Sequence, residues 1–282
     1  MSIRLLGILA GLGLTAVLVL WSLVPGLLNF ALPEKPDYYA FQEENISPEG
    51  GFSFDGPLGT WDTQQLQRGY QVYKEVCAAC HSLKYVAFRN LEDLGYNEAE
   101  VRAEAASWNV PGLDPNTGEA TTRPGLPTDQ FPSPYPNDIA ARAANNNAIP
   151  PDLSLITKAR KDGTNYVYSL MLGYTEPTAE DLAKSPDFTT PEGLYFNEHF
   201  YNINIAMPPQ LRDGLVSYSD GTPATREQMA EDVTAFLTWA GEPSLIHRKQ
   251  TGWWVLGFLL FATGLAFLSY KQVWAGMKPK KR

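Results

Sequence analysis

Cys77-Ala78-Ala79-Cys80-His81 constrains this chain more than any other run of residues. Two thiols on one turn can each bond a vinyl group of a haem while the adjacent imidazole reaches the iron, so C-x-x-C-H reads as a c-type haem attachment site. A C-x-x-C can also serve as a disulfide, as half of a zinc site or as a redox pair. The chain has only two cysteines, which excludes a four-cysteine zinc site. A thioredoxin-like use would need a βαβ setting, and nothing in the sequence supplies one.

A chain of 282 residues can hold one or two domains and a sizeable core. Its 23 glycines and 22 prolines put much of the fold in irregular loop, even with helices as the regular elements. The net charge of −9 argues against nucleic acid as a partner. It suits a basic partner met by electrostatic steering, and equally a surface that is acidic for solubility.

Two apolar stretches bracket the polar middle. Trp253 to Tyr270 carries no charge and approaches the length that crosses a bilayer, with Trp253, Trp254, Tyr270 and Trp274 as an aromatic belt. Lys271, Lys278, Lys280, Lys281 and Arg282 follow it, against Arg248 and Lys249 before it. The positive-inside rule therefore puts the tail in the cytoplasm and the middle of the chain outside. At the other end, Leu5 to Leu32 is uncharged. A signal peptide would show an apolar region of roughly 7–15 residues and a small-residue cleavage site. This run is longer and has no clean A-x-A, so Leu5 to Val24, before Pro25, reads as a retained anchor, with a cleaved signal as the alternative. Gly7 and Gly11 form a G-x-x-x-G, a weak sign of helix packing.

Residues 33–60 read as a linker or wrapping arm. Asp62 or Thr63 then caps an expected helix over 62–77, with Leu66, Tyr70, Tyr73 and Cys77 on one face and the C-x-x-C-H at its end. Glu92 to Trp108 reads as a second, acidic helix with Leu94, Val101 and Ala105 inside. The stretch 109–151 is crowded with proline and predicts neither helix nor central strand. Tyr166 to Leu172 suggests a helical turn. Thr225-Arg226-Glu227-Gln228 fits a capping box opening a helix over 225–240.

A haem held by His81 has a sixth position, and Met/His ligation makes an electron carrier. Met207 is the leading candidate: its thioether is soft, and Pro208 and Pro209 stiffen the backbone behind it. Met171 and Met229 fall at core positions, Met277 follows the apolar span and Met1 starts the chain. His247 abuts the apolar span and reads as interfacial. His199, beside Phe200 and Tyr201, stays open as an alternative.

Taken together, these residues resemble cytochrome c1, the haem subunit of the cytochrome bc1 complex, in its bacterial type. The resemblance covers about residues 52 to 275. It is carried by Arg68-Gly69-Tyr70-Gln71-Val72-Tyr73, by Ala141-Arg142-Ala143-Ala144-Asn145-Asn146-Asn147 leading into Pro150-Pro151-Asp152-Leu153-Ser154, by Glu192-Gly193-Leu194-Tyr195-Phe196-Asn197 and by Asp220-Gly221-Thr222-Pro223-Ala224-Thr225. It implies one haem c bound through Cys77 and Cys80, with His81 and Met207 as axial ligands of the iron. Asn145, Pro151, Arg160 and Tyr166 would line the haem pocket, with Arg160 near a propionate that its guanidinium can bond bidentately.

The implied fold is mostly α, a cytochrome c-like haem domain with long loops, plus a C-terminal transmembrane helix and an N-terminal apolar helix. Its first and last helices cross near the cofactor, where Gly69 and Tyr73 would meet Phe236 and Trp239. The expected organisation is an apolar leader over 1–32, a periplasmic haem domain over 33–246, and a membrane helix with a basic cytoplasmic tail over 247–282. The implied activity is electron transfer from the Rieske iron–sulfur protein to a cytochrome c, with no bond chemistry in this subunit. Cytochrome b and the Rieske protein would be its neighbours, in a complex that dimerises in the bacterial inner membrane. A haem sensor or enzyme with a labile sixth ligand, or a c-type subunit of a terminal oxidase, are the competing functions. Two features depart from the pattern. Some bacterial relatives brace the loop before the methionine with a disulfide, for which this chain has no cysteines to spare. A retained N-terminal anchor is also unusual.

Overall fold

The computed structural model describes residues 3–31, 41–184, 186 and 188–277. Residues 33–40 of the expected arm and Lys278, Lys280, Lys281 and Arg282 of the basic tail lie outside these described residues. In chain order come α1 (Ile3–Ala31), α2 (Thr63–Val72), a π-helical turn (Tyr73–Cys77), a 3-10 helix (Phe88–Leu94) and α3 (Glu98–Ala106). The hairpin of β1 (Asn109–Leu113) and β2 (Ala120–Pro124) follows, then α4 (Asp138–Ala144), α5 (Gly163–Leu172) and α6 (Ala179–Lys184). A second short antiparallel pair, β3 (Tyr195–Phe196) and β4 (Asn204–Ile205), precedes α7 (Arg226–Gly241) and α8 (Leu245–Trp274). The protein is mostly helical, as expected. It divides into one unit of residues 1–42 and 178–188 and another of 43–177 and 189–282.

In the larger unit the core forms where α2 packs on α7. Gly69 makes the close approach possible: a Cβ there would stand 2.0 Å from the Asp232 carbonyl oxygen and 2.7 Å from Phe236 Cβ. Tyr73 and Phe236 rings meet at 5.7 Å, and Phe236 and Trp239 at 5.6 Å, all fully or nearly fully buried. The expected crossing is thus present. Beside it, Arg68 donates from Nε to Asp232 Oδ2 at 2.9 Å and from Nη2 to Oδ1 at 3.1 Å, while Nη1 reaches Asp220 Oδ2 at 2.9 Å. A planar guanidinium fork fits a carboxylate in this bidentate way.

Caps set the helix ends. Asp62 accepts from the Gln64 and Gln65 N–H groups and starts α2. Thr225 Oγ1 accepts from Gln228 N–H at 3.1 Å and starts α7. Only that half of the expected capping box forms: the Thr225 N–H donates to Pro223 O at 2.9 Å, and the Gln228 amide turns to Asp232 Oδ1.

Two expectations need correction. The acidic segment 92–108 is not one helix. Gly95, at φ +91°, ends the 3-10 turn in a left-handed conformation, and Asn97 caps α3 afresh. The stretch 109–151 is not wholly irregular, since it contains β1, β2 and α4. A two-stranded hairpin is all edge, so it tolerates Pro111 and Pro124, and the cluster Pro132, Pro134 and Pro136 falls between β2 and α4. The helix α1 runs from Ile3 to Ala31, longer than the apolar stretch expected within it. Both α1, over Arg4–Val24 (mean hydropathy 2.2), and α8 (mean hydropathy 1.7) are long and apolar enough to cross a membrane.

The start of α8 is tied to the rest of its unit. Lys249 Nζ donates to the carbonyl oxygens of Phe54 and Gly56, and Trp253 Nε1 to that of Pro57. Glu242, just after α7, takes both Lys158 and Arg248.

Candidate haem site

The C-x-x-C-H begins where α2 widens. Ala78 N–H bonds to Tyr73 O at 2.8 Å, a π-type step, and both Cys80 N–H and His81 N–H then fall back on Cys77 O. Such a bulge turns the following residues off the helix axis, and π-turns concentrate at functional sites. The buried Tyr73 also donates its hydroxyl to His81 O at 3.2 Å. Its ring sits between Phe131 and Phe236, so the aromatic core itself holds the backbone of the histidine.

His81 Nδ1 lies 2.8 Å from the carbonyl oxygen of Pro151. A carbonyl can only accept, so Nδ1 carries the proton and Nε2 keeps its lone pair for a metal. Burial lowers the imidazole pKa, outweighing the Pro151 bond and the Asp152 charge, and keeps the ring neutral. Pro151 is placed by its neighbours. Asp152 Oδ2 accepts from Ser82 Oγ at 2.7 Å and Lys84 N–H at 2.9 Å, and Oδ1 from Ser154 N–H at 3.0 Å. Ser154 Oγ accepts from Tyr85 N–H, and Leu153 N–H donates to Ser82 O. The Pro150-to-Ser154 run is therefore stapled along the residues that follow His81.

Cys77 and Cys80 are both free thiols. Burial, with Cys80 beside it, pushes the Cys77 thiol up to about 12, so it stays neutral rather than thiolate. The phenol of Tyr135 neighbours both the Cys80 thiol and the Asn145 amide. Asn145 in turn donates to Ala141 O at 2.7 Å at the end of α4. The next two residues, Asn146 (φ 48°) and Asn147 (φ 64°), turn in the left-handed region that asparagine tolerates. Asn146 Nδ2 bonds to Gly193 O at 2.9 Å, joining two of the segments that carried the resemblance.

Among the remaining candidates, Arg160 is exposed and bonds to Ala159 O, with the Tyr166 phenol nearby. Met207 is half-buried two residues beyond β4, and its carbonyl accepts from Tyr174 Oη at 3.0 Å. Met229 is fully buried and Met171 half-buried, in keeping with core positions. His247 is exposed at the start of α8. The His199 ring is buried, with Nε2 3.6 Å from Glu198 Oε1 and Nδ1 unpartnered.

Sequence reasoning gave no role to Asp152, Tyr135 or Tyr174. Asp152 precedes Ser154 by two residues, the spacing of an Asx turn, which is a local signal. Tyr135 and Tyr174 reach their partners only through the fold.

Comparison with known proteins bears on this geometry. A family model described as the cytochrome C1 family matches residues 52–277. The chain belongs to the cytochrome c1 family. It is 44% identical over 236 residues to the cytochrome c1 of Rhodospirillum rubrum, covering 80% of this chain and 87% of that one. A mitochondrial cytochrome c1 of Arabidopsis thaliana is 42% identical over 271 residues, covering 95% of this chain and 85% of its own length. The "Cytochrome b/c1" of Bradyrhizobium diazoefficiens is 43% identical over 260 residues, 85% of this chain, and the match spans only 37% of that longer protein. The cytochrome c1 family implies haem c, and the residues present fit it. They offer paired thiols one turn apart and an adjacent imidazole whose Nε2 is left free by the Pro151 bond.

Proposed function

We propose that this chain carries one haem c and passes single electrons from the Rieske iron–sulfur protein to a cytochrome c within a bc1 complex. The observation that most supports it is the His81–Pro151 hydrogen bond, which leaves Nε2 unprotonated and able to bind a metal. Cys77 and Cys80 would form the thioether links, and His81 Nε2 and Met207 Sδ the axial bonds. Asn145, Pro151, Arg160 and Tyr166 would line the pocket. Arg160 supplies a fixed positive charge for a propionate. Once bound, the haem supplies a one-electron couple whose potential Met/His ligation raises.

The other steps belong to the protein. The covalent links keep the cofactor in place on the periplasmic side of the membrane, and the packed aromatic core limits movement around it. Residues 33–246 form the domain that faces the periplasm, α8 anchors it, and the basic tail stays in the cytoplasm. Residues 1–32 direct export and, by their length, remain as a second anchor. Cytochrome b is proposed as a neighbour, supported by the Bradyrhizobium relative whose name joins b with c1. The complex is proposed to be a dimer.

The test is anaerobic. The assembly carrying this chain is purified from membranes, a quinol is added and the visible band of the c haem is followed. Prompt reduction that is lost on removing the Rieske protein is expected. Reduction by dithionite but not by quinol would overturn the reading and favour an oxidase subunit or a sensor.

A further inference from the structure

A thioether is a weak ligand on a flexible side chain, so a methionine ligand depends on how firmly its backbone is held. We propose that Tyr174 is the positioning residue for Met207, fixing the methionine's backbone through its hydroxyl where no disulfide is available to do so. The inference rests on Met207 being the sixth ligand.

The tie is direct: Tyr174 Oη donates to Met207 O at 3.0 Å. What makes it a brace is that both of its ends are anchored to one point. Tyr174 stands just past α5, whose end is fastened by three bonds. Gly173 N–H donates to Ser169 O at 2.7 Å, Glu198 N–H to Gly173 O at 3.1 Å, and Asn197 Nδ2 to Leu170 O at 2.8 Å. There is no slack at that turn, since a Cβ on Gly173 would lie 2.6 Å from His199 Cδ2 and 2.8 Å from Asn197 Oδ1.

Met207 approaches from the other side. It leaves β4 two residues after Ile205, which pairs with Tyr195 of β3. The hairpin is closed by Asn197 N–H donating to Ile203 O at 2.8 Å, across a tight loop in which Ile203 takes φ +55°. The buried Asn197 is thus common to both arms. Its amide caps α5, and its backbone closes the hairpin that delivers the methionine. The Tyr174 hydroxyl completes the ring of contacts from α5 to Met207, β4, β3 and back to Asn197. Beyond Met207, Pro208 and Pro209 have no N–H to offer, so their backbone cannot donate a competing tie.

The test uses the full haem-loaded complex and reads the ligand rather than turnover. Ferrous protein is titrated with carbon monoxide, and the far-red charge-transfer band of ferric methionine ligation is recorded. Tyr174→Phe removes one atom and is expected to raise the fraction of haem open to carbon monoxide about fivefold, the effect of losing one net hydrogen bond. Replacing Tyr174 with 4-aminophenylalanine, which keeps a donor at the same place, is expected to restore the parent value. Tyr195→Phe, an exposed tyrosine on β3, controls for general loosening and should leave it unchanged. Parent-like carbon monoxide binding in Tyr174→Phe, beside full binding in Met207→Leu, would overturn the brace alone. No gain in Met207→Leu would overturn the ligand assignment, and the brace with it.

Discussion

At the scale of single residues, the candidate site is governed by hydrogen bonds that decide which atom is left free. Pro151 contributes a carbonyl rather than a side chain, and its value lies in committing the proton of His81 to Nδ1. Asp152 then holds that carbonyl in place through Ser82, Lys84 and Ser154. Replacing Asp152 with alanine strands three donors and is expected to cost about 2–3 kcal/mol in denaturant unfolding. The pH dependence has a defined sign. Burial raises the Asp152 pKa, but the hydrogen bonds outweigh it and the net shift is downward. A depressed folded pKa contributes stability above the unfolded value of about 3.9, lost as pH falls through the folded one. The deficit of Asp152→Asn relative to the parent should therefore shrink below about pH 3.9. A deficit that persists unchanged in acid would show that the carboxylate charge is not what matters.

At the scale of elements, the crossing of α2 and α7 decides where the haem motif points. Gly69 allows the contact, and Arg68 with Asp232 locks its register. Because the methyl of alanine would meet a main-chain oxygen, Gly69→Ala is expected to destabilise by about 3 kcal/mol through overpacking. A midpoint in denaturant equal to that of the parent would refute this. Much of this level was legible beforehand. Helical spacing of Leu66, Tyr70 and Tyr73, with a capping aspartate, gives α2 its place, and a threonine cap gives α7 its start. The break at Gly95 was not, since a helix reading of 92–108 scores the apolar spacing and passes over one left-handed glycine. The β1–β2 hairpin was missed for a related reason: prolines that bar a central strand do not bar a pair made only of edges.

At the scale of the whole molecule, an acidic chain ends in an apolar helix whose base is clamped to its own unit by Lys249 and Trp253. The run Glu92, Asp93, Glu98, Glu100 and Glu104 is not one uniform patch. Glu104 turns inward and accepts from Tyr70, Lys74 and Trp108. Glu100 closes the cap on Asn97, and Glu98 pairs with Arg102. Glu92 and Asp93 are exposed, and Glu43, Glu44 and Glu49 form a second exposed group. If either group steers a basic cytochrome c, reoxidation of the haem should slow as ionic strength rises, since the Debye length contracts from about 10 Å at 0.1 M to 3 Å at 1 M. A salt-insensitive rate would remove steering. Glu104→Ala should instead lower stability in denaturant unfolding, because it removes the acceptor of three bonds at once.

The sequence by itself determined the C-x-x-C-H motif, the apolar spans and the helix bearing that motif. These follow from local spacing, charge and capping, which act between neighbours along the chain. Only the tertiary structure decided which nitrogen of His81 is free, which carboxylates of an acidic run face solvent, and what holds Met207. Each of those depends on a partner far away in sequence: Pro151 for the histidine, Tyr70 for Glu104, Tyr174 for the methionine. A hydrogen bond is set by the position of its partner in space, and that position exists only once the chain has folded.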